Sequence, residues 1–125
     1  MTAICLLVAG ALRATLPAES FTLAWRHSIE HTRWEEDYRV TGDALVLTQS
    51  RVEGFGAGME PAPGAQLVDG MWRWRPMLAP LPSLRLTSSP FAGDYTICVE
   101  GRCQALRELV ADPGIAVVTV APCAG

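Results

Sequence analysis

The chain has 125 residues, half of them hydrophobic, which is enough for one domain built round one core. Charged residues make up 18% and the net charge is −3, which excludes a disordered polar chain and argues against a general binder of nucleic acid or anionic membrane. All ten basic residues are arginines, spread from Arg13 to Arg107 without forming a block.

Ala3 to Leu12 is apolar and reads as buried strand, Ala3–Ala9, followed after Gly10 by a second, Leu12–Leu16. An export signal is disfavoured, because no basic leader precedes the run and cleavage at Ala9-Gly10-Ala11 would leave it very short. A helix of about ten residues would reach roughly 15 Å, half a bilayer core, so no membrane span is expected. On this reading the cytoplasm is the favoured compartment and the periplasm the alternative.

Pro17 to Ser20 makes a turn, and Phe21 to Ile29 is the clearest strand. Phe21, Leu23, Trp25 and Ile29 fall on one face, Thr22, Arg26, Ser28 and Glu30 on the other. Arg33–Val40 and Ala44–Val52 follow, separated by a turn at Thr41-Gly42-Asp43. Glu53 to Gln66, rich in glycine and proline, is a loop. Leu67–Trp74 folds over the tight-turn dipeptide Asp69-Gly70. Pro76, Pro80 and Pro82 confine the next stretch to an edge or a connection. Ser83–Thr87 and Tyr95–Val99 are short strands, Gln104 to Ala111 is a helix stopped by Asp112-Pro113-Gly114, and Ile115–Ala121 is a closing strand. The prediction is mainly β: a single domain over 1–125, a small β-sandwich or partly open barrel with one short helix near 104–111.

Tyr95 to Cys103 reads as a hairpin with Glu100-Gly101 at its tip. Val99 and Arg102 then form the first pair, and Cys98 faces Cys103 in the next, at a separation that suits a disulfide. Close thiols are therefore expected at Cys98 and Cys103; whether they are oxidised depends on the compartment.

The pattern breaks between Ile29 and Trp34. Large apolar residues occupy odd positions before it and even positions after it (Trp34, Tyr38, Val40), which demands a bulge or a turn. The same stretch gathers His27, Glu30, His31, Arg33, Glu35, Glu36 and Asp37, and is the leading candidate site; a hairpin tip with solvated charges is the plainer reading. Metal binding by His27 and His31 is disfavoured, since residues four apart on a strand are about 13 Å apart. Ser28 points away from the adjacent His27, and Glu35 and Glu36 lie on opposite faces, so neither a nucleophile–base pair nor a carboxylate pair forms. Trp72-Arg73-Trp74-Arg75 puts both tryptophans on one face, as a half-buried strand requires, rather than interleaving them for nucleic acid. No cofactor motif is present.

These residues resemble a known pattern. Phe21-Thr-Leu-Ala-Trp-Arg-His27-Ser28-Ile29-Glu30, followed by Trp34-Glu35-Glu36, is similar to the His-Ser-Val-Glu signature of a bacterial family, domain of unknown function family 1850. Gly56-Ala57-Gly58-Met59 and Asp69-Gly70-Met71-Trp72 fit the same pattern in the same order, and the likeness runs from about residue 5 to the Cys98/Cys103 hairpin. Ile29 stands where valine is usual, and the N-terminus lacks the anchor or signal that many members carry. The resemblance implies a protein encoded beside, or fused to, a tripartite TRAP-type solute transporter with a TAXI-class binding protein. It puts forward His27, Ser28, Glu30, Glu35 and the Gly56/Gly58 loop as shared polar features. The expectation is a non-enzymatic accessory or small-ligand-binding module, with the transporter or its binding protein as partner and a small acidic solute as ligand. The alternative is a hydrolytic or metal-dependent enzyme using His27 and a nearby glutamate.

Overall fold

The computed structural model describes residues 2–27, 31–54, 63–90 and 94–124. They form two antiparallel sheets that share one core, with one short helix.

The first sheet has four strands in the order β2-β1-β11-β8: β1 (Thr2–Val8), β2 (Ala11–Pro17), β8 (Leu84–Ser88) and β11 (Ala116–Ala124). The second has seven, in the order β10-β9-β3-β4-β5-β7-β6: β3 (Ser20–Arg26), β4 (Arg33–Thr41), β5 (Ala44–Glu53), β6 (Gln66–Val68), β7 (Met71–Trp74), β9 (Thr96–Val99) and β10 (Arg102–Ala105). Ile4, Leu6, Val118, Val120 and Leu86 of the first sheet meet Phe21, Leu23, Tyr38, Leu45, Leu47 and Ile97 of the second. Burying these side chains is the main force holding the sheets together.

Local chemistry explains the joints. The turns Ala9-Gly10, Asp69-Gly70 and Glu100-Gly101 each place two successive residues at positive φ, the backbone that matches the twist of a two-residue hairpin. Leu81, between Pro80 and Pro82, keeps its N–H and exchanges two backbone hydrogen bonds with Leu45, of 2.7 and 2.9 Å. The prolines thus act as connection, as expected.

The predicted helix over 104–111 is shorter in the structure, α1 (Leu106–Val110). Gln104 and Ala105 pair with Ile97 and Thr96 in the β9–β10 ladder, and Ala111 turns left-handed at φ 53°. Ala105, at the N-cap, has no side chain to cap with, and Asp94 supplies the function from a distance: its Oδ2 accepts the Arg107 N–H at 2.9 Å. At the other end, Arg13 Nη1 donates to the Val110 carbonyl at 3.1 Å.

Two disulfides clip the fold. Cys98–Cys103 joins β9 to β10 in the register expected from the hairpin. Cys5–Cys123 joins β1 to β11 across a sequence separation of 118, and no local signal announced it.

Candidate functional site

The site is built on β3, β4, β5 and β7, whose pairing decides which side chains share a face. The parity switch after Ile29 comes from the turn, not from a bulge: β3 ends at Arg26, three residues earlier than the predicted strand, and Arg26 pairs with Arg33. His27 N–H donates to the Thr32 carbonyl at 2.8 Å and His31 N–H to the His27 carbonyl at 2.9 Å, with His31 left-handed at φ 58°. A bulge does exist, one strand later. Asp37 opposes Gln49 and Tyr38 opposes Leu47, leaving Thr48 as the extra residue in β5. Leu45 and Leu47 therefore face the core before the bulge, and Ser50 and Val52 face it afterwards.

The outer face carries an ion-pair lattice centred on Arg51. Its Nε donates to Glu35 at 2.8 Å, and Nη1 and Nη2 grip Asp37 at 2.6 and 2.8 Å. Arg33 Nε donates to the second Glu35 oxygen at 2.7 Å, and Thr22 Oγ1 donates to Asp37 at 2.7 Å. Burial pushes the Glu35 carboxyl up, but the hydrogen bonds from Arg51 and Arg33 outweigh it and hold the group below the usual carboxylate range. Asp37 follows the same balance, with Arg51 and Thr22 outweighing burial. The Asp37 bonds in turn raise the Arg51 guanidinium. A recess of about 590 Å³ lies over this face, lined by Arg33, Glu35, Asp37, Arg39 and the Cys98–Cys103 bridge among others.

The inner face of the same strands is different. Ile97, Leu23, Glu36, Ser50 and Trp74 form one row across five strands; Trp25, Trp34, Val52 and Trp72 form the next. All four tryptophans of the chain fall in these two rows, each partly buried. Trp25 stacks on Trp34 with centroids 6.2 Å apart and meets the Tyr95 ring at 5.7 Å. Glu36 sits among them, accepting the Tyr38 hydroxyl at 2.9 Å. Burial raises the Glu36 carboxyl above its ordinary range, with the Tyr38 bond only partly offsetting it. Burial and then the Glu36 charge raise Tyr38 and Tyr95 in turn. The Trp34 Nε1–H is buried without an acceptor among the described residues.

Of the residues proposed from sequence, Ser28, Glu30, Gly56 and Gly58 lie outside the described residues. His27 is exposed at the mouth of the β3–β4 hairpin, and Glu35 belongs to the outer lattice. The titratable cluster is thus divided between two faces and a hairpin tip. Arg26 comes within 3.6 Å of Glu53, so the hairpin tip and the end of β5 meet at one end of the sheet. Sequence reasoning gathered Glu36 into the candidate stretch without singling it out, and it passed over Arg51. Their signals were present: Glu36 shares parity with Trp34 and Tyr38, and the change of parity between Leu47 and Val52 marks the bulge that turns Arg51 outward. Among the described residues no group of three or more histidine, cysteine, aspartate or glutamate side chains could hold a metal, and no helix is long and apolar enough to cross a membrane.

A family model described as a domain of unknown function, DUF1850, matches residues 21–106, a span that covers the seven strands of the larger sheet except for Ser20, the first residue of β3. No curated protein and no solved structure matches the chain.

Proposed function

The chain belongs to the DUF1850 family, and from that premise we propose that it is a non-enzymatic, small-ligand-binding accessory module of a TRAP-type solute transporter. The observation that carries the binding reading is the inner aromatic face: four tryptophans and a carboxylate in two partly buried rows, with Tyr95 against Trp25, and bonding capacity left over at Glu36 and Trp34 among the described residues. Aromatic faces with a few convergent polar groups are how small ligands are commonly held. The outer face has less to offer, because Glu35, Asp37 and Arg51 already satisfy one another.

The hydrolytic alternative loses Glu35 for the same reason. Glu35 is held ionised by two arginines, so it has no proton to give near neutral pH, and its lone pairs are engaged. The transporter half of the proposal rests on the family resemblance. Two disulfides favour an oxidising compartment, which supports the periplasmic alternative over the cytoplasmic one.

The test is a thermal-shift screen of small solutes, because a ligand that binds only the native state raises the melting temperature. It is joined to co-purification with the transporter's binding protein and membrane subunits. A ligand-dependent shift with quenched tryptophan fluorescence is expected. No shift with any solute, and no co-purification, would defeat the proposal.

A further inference from the structure

We propose that the inner aromatic face binds a small organic cation, one carrying an ammonium group beside a hydrogen-bond-accepting oxygen, with Glu36 as its counter-charge. This rests on the small-ligand reading above and names the ligand's chemistry.

Charge complementarity is the first argument. Glu36 lies on the core side of β4, in the row of Leu23 and Ser50, and among the described residues it receives one neutral hydrogen bond, from Tyr38. No arginine reaches it. The chain has no lysine, and all ten arginines lie among the described residues, so no side-chain cation of those types is hidden elsewhere. The arginines of the neighbouring strands are turned outward: Arg33 and Arg51 hold Glu35 and Asp37, and Arg26 faces Glu53. A desolvated carboxylate without a positive partner is costly, and a cationic ligand would supply that partner.

The wall around Glu36 is aromatic. Trp25 and Trp34 stacked on each other, Tyr95 against Trp25, and Trp74 two strands from Glu36 put aromatic rings on the face of the sheet where the carboxylate stands. Aromatic faces attract cations through the ring quadrupole, most strongly when both are shielded from water, and alkylammonium groups are the ligands such walls suit. An anion would meet repulsion from Glu36 and the negative ring faces together. The acidic solute expected from sequence therefore fits this face poorly.

Trp34 Nε1–H is buried with no acceptor among the described residues, two residues along the same face from Glu36. Strand neighbours on one face are about 7 Å apart, so one small molecule can reach both groups. A ligand with an oxygen near its ammonium satisfies the donor while pairing the carboxylate.

Choline is a suitable probe, with its neutral carbon isostere 3,3-dimethylbutan-1-ol and the anion succinate as comparators. Intrinsic fluorescence reports directly, since all four tryptophans lie on this face. Choline should quench saturably, Glu36→Gln should weaken it by about tenfold or more, and the neutral isostere should bind at least about tenfold more weakly than choline. Trp34→Phe, checked for folding by circular dichroism, should weaken choline more than tetramethylammonium, which has no oxygen. Equal binding of choline and its isostere, or binding unchanged in Glu36→Gln, would overturn the cation assignment while leaving a small-ligand site in place. Saturable binding of succinate alone would do the same. Failure of all three probes to bind would count against both readings.

Discussion

Replacing Arg51 by methionine isolates the outer lattice. Methionine keeps the apolar stem that packs on the sheet and removes the charge and its donors. Four hydrogen bonds go with it: one to Glu35, two to Asp37 and one to Gln49. The side chains of Arg51, Glu35 and Asp37 are 13%, 18% and 32% exposed, between the surface pairs that contribute well under 1 kcal/mol and the buried ones whose rupture costs 3–5 kcal/mol. A loss of about 2 kcal/mol at pH 7 is expected on that scale. The sign with pH follows from the carboxyls. Glu35 and Asp37 sit below their ordinary range in the folded chain, so their contribution is complete above that range and disappears as the pH falls through the depressed values. The gap between wild type and Arg51→Met should be constant from about pH 8 to pH 6 and shrink steadily below about pH 4. Urea unfolding followed by tryptophan fluorescence at several pH values measures it. A loss below about 0.5 kcal/mol, or one equally large at pH 3, would refute the argument that these pairs are shielded and charge-driven.

Other perturbations have distinct signatures. Glu36→Gln should behave oppositely: Glu36 is raised in the folded chain, so the wild type gives up stability as the pH rises through that raised value, and the variant should be about 1 kcal/mol more stable at pH 7 but not at pH 3. Parallel urea titrations would show it, and a destabilised variant at pH 7 would contradict it. Losing Cys5–Cys123 should cost more than losing Cys98–Cys103, about 4–5 against about 2 kcal/mol, since the separations are 118 and 5 residues. Serine pairs at each bridge, compared by chemical denaturation, decide this; equal losses would contradict it. Asp94→Ala should cost about 1–2 kcal/mol and lower far-UV helical signal, because α1 loses its cap and the Tyr95 N–H loses its 2.9 Å acceptor. A neutral substitution would mean that water replaces the carboxylate without penalty.

How far the fold was legible depended on how local each feature was. The Glu100-Gly101 turn and the Cys98–Cys103 facing pair follow from neighbours in sequence, and both are present. The strands of the central sheet follow from alternation, and the opposition of Glu35 to Glu36 from strand period alone. Misjudgements occurred where a partner from elsewhere decides. Gln104 and Ala105 have helical propensity, but the ladder with β9 claims them, and the cap that starts α1 comes from Asp94. Cys5 and Cys123 are joined only because β1 and β11 are neighbours in the first sheet. The tryptophans show the boundary best. Each pair's common face could be read within Phe21–Trp34 and Trp72–Trp74, but their convergence on Glu36 needs the order β3-β4-β5-β7, which no local pattern encodes.

The Thr48 bulge joins these threads, and it makes a prediction that runs against intuition. Deleting one residue from a central strand normally turns every side chain beyond it to the wrong face. Thr48, however, is unpaired: Leu47 opposes Tyr38 and Gln49 opposes Asp37. Removing it would close the ladder into a regular one in which Ser50 and Val52 still face the core and Arg51 still faces Glu35. What is lost is the Thr48 Oγ1 hydrogen bond to the Asp37 carbonyl and some local twist, so about 1–2 kcal/mol is expected. Deleting Thr22 from β3, where pairing with β4 has no extra residue, must instead turn Phe21 or Leu23 out of the core. That exposes a large apolar side chain and costs about 3–5 kcal/mol or the fold itself. Urea melts of the two deletions, with tryptophan fluorescence as the probe of the inner face, give the comparison. If the Thr48 deletion unfolds the chain as completely as the Thr22 deletion, then the bulge is not what reconciles the apolar pattern of β5 with its pairing, and the placement of Arg51 outward and Ser50 inward would need another cause.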